Sequence, residues 1–113
     1  MNNSLSSIEK LKKKRDFENL RLNTKSINTK FYRIKYKKNS RDNPRIGIII
    51  SKKVHKLAVQ RNLFKRRIRE IFRTHKSKIN QNIDILIIAK NDATNASYQT
   101  LLNDFSRSLH IIE

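Results

Sequence analysis

The sequence predicts an α/β sandwich, with helices packed on a mixed sheet in the order helix, strand, strand, helix, strand, helix. Three observations carry this. Residues 31–37 alternate with period two, which sets Phe31, Arg33 and Lys35 on one face of a strand and Tyr32, Ile34 and Tyr36 on the other. Over residues 57–75 the apolar period becomes helical, so that Leu57, Phe64, Ile68, Ile71 and Phe72 fall within one arc. The unbroken apolar run 83–89 follows that helix and precedes another. A strand, helix, strand succession requires a crossover, for which right-handedness is the default.

The elements follow in order. Residues 1–7 are polar and expected to fray, after which Ser6-Ser7-Ile8-Glu9 has the form of a capping box. The helix it opens carries Leu11, Phe17 and Leu20 and ends near Leu22. Residues 23–29, rich in Asn, Thr and Ser, are expected to be a loop. After the strand at 31–37, a polar turn over 38–44 ends in the single proline, Pro44, and the β-branched strand 45–51 surrounds the single glycine, Gly47. These two strands are expected to pair as a hairpin. A polar connection at 76–82 leads to a buried strand at 83–89. A loop over 90–96 precedes the last helix, roughly 97–111, which carries Leu101, Leu102, Phe105, Leu109 and Ile112.

At 113 residues and 36% hydrophobic content the chain supports one modest core, so residues 1–113 are expected to form a single domain and a multidomain machine is excluded. Lysine and arginine number 27 against 9 acids, a net charge of +18. Self-repulsion on this scale calls for a polyanionic partner, either nucleic acid or an anionic membrane surface. The absence of cysteine excludes disulfides, thiolate metal sites and a cysteine nucleophile, and fits a reducing compartment such as the cytoplasm. The longest apolar runs, 46–50 and 83–89, fall far short of the roughly 20 residues of a membrane helix. Glu9 and Asp16 interrupt the basic N-terminal stretch, unlike an organellar transit peptide.

Catalytic constellations are scarce. His55, His75 and His110 stand far apart without partners at metal-ligand or triad spacing and are expected at the surface or in loops. Asp16, Asp84 and Asp104 are single carboxylates suited to helix ends or loops rather than acid–base work. One glycine cannot build a phosphate loop. The sequence therefore predicts no catalytic residue, no metal site and no small-molecule substrate.

The strong signal is basic. Lys52 and Lys53 are followed by Arg61-Asn62-Leu63-Phe64-Lys65-Arg66-Arg67-Ile68-Arg69, and Asn62, Lys65, Arg66, Arg69 and Arg73 gather on an arc beside the apolar one. A self-satisfied solvated helix would alternate signs at i,i+4, whereas Glu70 is the one acid from Arg61 to Arg73. Like charges on a structured face suit a phosphate backbone, with arginine forks and an asparagine amide as donors. Lys10, Lys12, Lys13, Lys14 and Arg15 form a second basic run, either a flexible arm or a solvated tail. The strand face bearing Tyr32 and Tyr36, together with Phe17, is either core or a stacking platform for unpaired bases.

These residues resemble the protein subunit of bacterial ribonuclease P over nearly the whole chain. Leu11-Lys12-Lys13-Lys14-Arg15-Asp16-Phe17 is similar to its opening segment, and Arg45-Ile46-Gly47-Ile48 with Ser51-Lys52-Lys53-Val54 to its central strand and exit. Ala58-Val59-Gln60-Arg61-Asn62 through Arg69-Glu70 resembles its signature helix, and Ile85-Leu86-Ile87-Ile88-Ala89-Lys90 the strand before its last helix. The resemblance implies a fold like the second domain of ribosomal protein S5, with a left-handed crossover. It implies that a catalytic RNA subunit, using magnesium, cleaves the 5′ leader from precursor transfer RNA while the protein binds that RNA and the leader. Carried over by position, Arg61, Asn62, Lys65, Arg66 and Arg69 would contact the RNA subunit, and the neighbouring cations Lys52, Lys53 and Arg73 are expected to join them. Phe17 with Tyr32, Ile34 and Tyr36 would line the leader cleft. Two positions depart from the family pattern: Leu63 stands third in its arginine-asparagine-arginine signature, and Arg21 where an aromatic is expected one turn after Phe17. A structural RNA binder without a role in cleavage and a DNA-binding protein are the competing classes; the latter lacks a recognisable DNA-reading motif.

Overall fold

The computed structural model describes residues 9–11, 14–21, 24–41, 43–79 and 82–112. Among the described residues the α-helices and strands succeed one another as helix α1 (Lys14–Arg21), strands β1 (Lys25–Asn28), β2 (Tyr32–Lys38) and β3 (Arg45–Ile49), helix α2 (Ala58–His75), strand β4 (Ile83–Ala89) and helix α3 (Tyr98–Leu109), with short 3-10 turns at Lys76–Lys78 and Ala93–Asn95. The result is a two-layer α/β sandwich with a mixed sheet. Helices α2 and α3 cover one face, and the short α1 lies across part of the other.

The sheet order is β1-β2-β4-β3, with β3 parallel to β4 and the other pairs antiparallel. The expected hairpin between residues 31–37 and 45–51 is therefore corrected, because β4 lies between those strands. Burial explains it. Residues 83–87 are buried on both sides of β4, and a strand apolar on both faces belongs in the middle of a covered sheet. Strand β2, charged at Arg33, Lys35 and Lys37, can offer only one face to the core.

Register then builds continuous rows. Tyr36, Ile85 and Ile46 align across one face, as do Ile34, Ile87 and Ile48, and these rows meet Phe64, Ile68, Leu101 and Phe105 from the two helices. On the opposite face Leu86 packs with Leu11 and Leu20 in a smaller apolar cluster that Phe17, Ile49 and Ile88 flank.

The loop expected at 23–29 contains β1, a strand with the single apolar residue Ile27. Its pairing is fixed by the turn that follows: the Thr29 hydroxyl accepts from the N–H groups of Phe31 (3.2 Å) and Tyr32 (3.1 Å) and closes a tight hairpin. The first helix begins at Lys14, so Leu11, expected on it, precedes it. Before it, Lys10 pairs in parallel with Ile46, and the Leu11 N–H donates to the Ile46 carbonyl at 2.9 Å, so this segment extends the sheet edge instead of continuing a helix. Residues 1–8, including most of the capping-box motif, lie outside the described residues.

Helix α3 opens with Ser97 accepting from the Thr100 N–H at 3.2 Å, a conventional N-cap. Helix α2 has no side-chain cap. Its entry is held instead by Arg61, which donates to the carbonyls of His55 (2.9 Å) and Lys56 (2.8 Å).

Gly47 is where α1 meets the sheet. A Cβ there would lie 2.7 Å from the Phe17 ring and 2.9 Å from Leu11. Gly47→Ala is expected to destabilise the protein by about 1 to 3 kcal/mol through overpacking, and by less in a Phe17→Leu background. Urea midpoints for the two pairs measure the difference; equal losses would place the strain elsewhere.

Candidate RNA interface

Helix α2 buries Phe64, Ile68, Ile71 and Phe72 against the sheet and α3. This fixes its rotation. Residues 62, 66, 69 and 73, spaced four, three and four apart, then form a single stripe on the flank. Asn62 and Arg66 are exposed, while Lys65, Arg69 and Arg73 are half-buried. Lys65, Arg66 and Arg69 make no ion pair among the described residues.

Two of the predicted contacts are partly committed within the fold. Arg73 forks onto both carboxylate oxygens of Glu70. That contact holds the Glu70 carboxyl below the usual range and the Arg73 guanidinium above it, so the expectation that this stripe is wholly unpaired is corrected at its last position. Arg61 spends donors on the loop carbonyls noted above. Lys52 and Lys53 lie exposed in the turn before α2, while Leu63, in the signature's third position, is half-buried. Asn62, Arg66 and Arg69 line a cleft of about 530 Å³.

The four residues expected at the leader cleft are not brought together. Tyr32 and Ile34 are fully buried on the face covered by α2 and α3, where the Tyr32 hydroxyl donates to the Leu101 carbonyl at 3.2 Å. Burial pushes the Tyr32 hydroxyl pKa well above its ordinary value. Tyr36 is half-buried on that same face. Phe17 lies half-buried on the other side of the sheet, against Gly47. The core alternative holds for Tyr32 and Ile34, which are closed to any ligand in this fold.

The residues that share the Phe17 side are the other alternates of β2. Lys35 is in register with Leu86 of the α1-side cluster, and Arg33 and Lys37 flank it. The alternation in sequence had already separated these faces; the charged face, rather than the aromatic one, is the open one.

The acids pair more closely than their sequence spacing suggests. Arg45, 8% exposed, donates from Nε and an Nη to the two oxygens of Asp84 at 2.9 and 2.7 Å, and its other Nη lies 3.5 Å from Asp16. Asn39 adds a 2.7 Å bond to Asp84. The bond to Asp84 leads in holding the Arg45 guanidinium more firmly charged. Asp84 is thus a buried strand residue and not a loop carboxylate. Asp104 lies buried within α3 and pairs with Arg107. His75 departs similarly from its expected place at the surface: it is buried at the end of α2, bonded to the Ile71 carbonyl (2.8 Å) and the Ser106 hydroxyl (3.0 Å).

Among the described residues no group of three His, Cys, Asp or Glu could hold a metal ion, and no helix is long and apolar enough to cross a membrane. A mixed α/β sandwich with cations along one helix flank, of which only Arg73 is paired with an acid among the described residues, and further cations on the open sheet face has the form of a nucleic-acid-binding protein.

Comparison with known proteins gives the family. The ribonuclease P family model matches residues 5–113. A ribonuclease P protein component from Desulfosudis oleivorans is 35% identical over 107 residues, covering 95% of this chain and 88% of that protein. Among solved structures, the ribonuclease P protein from Thermotoga maritima superposes with a TM-score of 0.83 at 30% identity, covering 93% of this chain and 98% of that one. The Staphylococcus aureus ribonuclease P protein gives a TM-score of 0.83 at 34% identity, covering 91% and 94%. The chain belongs to the bacterial ribonuclease P protein family. It accordingly serves as the non-catalytic protein subunit that assists RNA-catalysed 5′ maturation of transfer RNA.

Proposed function

We propose that the chain, as one RNA-binding domain over residues 1–113, binds the catalytic RNA of ribonuclease P along α2 and the 5′ leader of precursor transfer RNA across the open sheet face. The observation that carries this is the α2 stripe: Lys65, Arg66 and Arg69 stand on a rigid helix without acidic partners among the described residues, which suits them to a phosphate backbone. Lys52, Lys53, Arg61 and Asn62 continue it, and Arg73 contributes less because Glu70 offsets its charge. For the leader, Phe17 is the stacking candidate, with Arg33, Lys35 and Lys37 as cations for its phosphates. We further propose that the fold is that of the second domain of ribosomal protein S5, with a left-handed crossover from β3 through α2 to β4. Magnesium enters through the RNA subunit, and the compartment is the cytoplasm, where transfer RNA precursors are processed in bacteria.

Reconstitution tests the proposal. The purified protein is expected to leave precursor transfer RNA uncut, since no residue set described above activates a nucleophile or holds two catalytic metals. Added to its cognate RNA subunit with magnesium at low salt, it should raise cleavage and favour precursor over mature transfer RNA. Cleavage by the protein alone, or no effect on the RNA subunit together with ribosomal RNA as the species recovered from cells, would reject this reading in favour of another.

A further inference from the structure

The cleft beside the α2 stripe is closed on its far side by other parts of the chain. Lys10 lines it from the N-terminal segment and Tyr98 from the first turn of α3, facing Asn62, Arg66 and Arg69. The Tyr98 ring is half-buried, packed against the edge of the core on one side and turned to the cleft on the other. Its hydroxyl has no hydrogen-bond partner among the described residues. Its place is fixed from two directions. Ser97 caps α3 immediately before it, and Arg67 reaches across from α2 to donate to the Ala96 carbonyl at 3.2 Å.

Glu70 also lines the cleft, but its charge is taken up by Arg73; the remaining cations and one aromatic ring match the two parts of a nucleotide, a charged phosphate and a flat base. A paired base has both faces occupied within its helix, so a ring in this position can use only a base that has left the stack. We propose that Tyr98 is a stacking site for one unpaired nucleobase of the RNA subunit, and that Arg67 is the positioning residue that holds the ring over the cleft. This rests on the reading of α2 as an RNA interface and adds base contact to a surface otherwise made of phosphate contacts.

The test is RNA-subunit binding by the full chain as a function of salt. Tyr98→Leu, which keeps apolar bulk against the core, should weaken binding about 5- to 150-fold with the salt slope unchanged, because no phosphate contact is lost. Tyr98→Phe should bind like the wild type. Arg67→Ala should weaken binding, and its loss should not add to that of Tyr98→Leu in the double variant. The chain contains no tryptophan, so Tyr98→Trp supplies a single fluorophore that should be quenched when the RNA subunit is added. Wild-type affinity for Tyr98→Leu, or an unquenched Trp in the assembled complex, overturns the stack. If Arg66→Ala lowers the salt slope in the same assay, the α2 interface survives that result; an unchanged slope removes the interface and the stack together.

Discussion

Asp84→Ala should be the most damaging single substitution in the protein, with an expected loss of about 3 to 5 kcal/mol, because it leaves the buried Arg45 guanidinium without its principal counter-ion. Small domains are stable by about 5 to 15 kcal/mol, so much of the chain is expected to unfold at moderate urea. Asp16 cannot replace the lost carboxylate, since it stands 3.5 Å from a single Nη. Replacing both charges, as Arg45→Met with Asp84→Leu, should recover most of the stability, since well-packed apolar residues often match a buried ion pair. The urea midpoints of the single and double variants measure both effects. A loss under about 1 kcal/mol for Asp84→Ala, ordinary for an exposed pair, would mean that water reaches Arg45 and that the cluster is not a buried one.

The second large effect is on assembly. Arg66→Ala with Arg69→Ala removes two cations that have no acidic partner among the described residues, and each lost phosphate contact lowers the log–log salt slope by about 0.7 to 0.9. Two contacts therefore amount to about 1.4 to 1.8 in slope, and at 0.15 M salt to about 10- to 30-fold in affinity for the RNA subunit. Arg73→Ala is the internal control, since Glu70 already neutralises that guanidinium and its removal should change the slope less. Both side chains lie off the apolar arc of α2, so melting temperature should hardly move. A double variant that binds normally, or that unfolds, would mean the stripe faces something other than RNA.

Long periodic segments were legible in the sequence because burial leaves a regular imprint on them. Helix α2 and strand β4 fall within a residue of their expected limits for this reason. Strand β1 left no such trace: with Ile27 alone as its apolar residue, it owes its pairing to the Thr29 turn and to β2. Strand partners were illegible on different grounds. Alternation tells which side chains share a face, but the insertion of β4 between β2 and β3 follows from its two-sided burial, which depends on α1 covering the second face. Of the interface, the α2 stripe was readable from helical spacing. The engagement of Arg73 by Glu70 at i,i+3 was present in the spacing too, yet charge counting alone passed over it. The arrangement around Phe17 required the third dimension, because spacing cannot say on which side of a sheet a separate helix will lie.

The central position of β4 also sets an order on how the fold can assemble. The β1–β2 hairpin joins neighbours in sequence and can close as soon as residues 25–38 are free to move. Strand β3 has no such local partner: its parallel ladder runs to residues 84–88, which a ribosome delivers only after the whole of α2. Until then two strand edges lie open on a highly cationic chain, and the Lys10 bridge to Ile46 has only an isolated β3 to join. The sheet therefore closes late, when its middle strand joins the β1–β2 hairpin to β3, a non-local step of the kind that slows folding and exposes edges to stray pairing. A nascent chain stalled before residue 83 would carry the signature helix but no sheet to hold it in place.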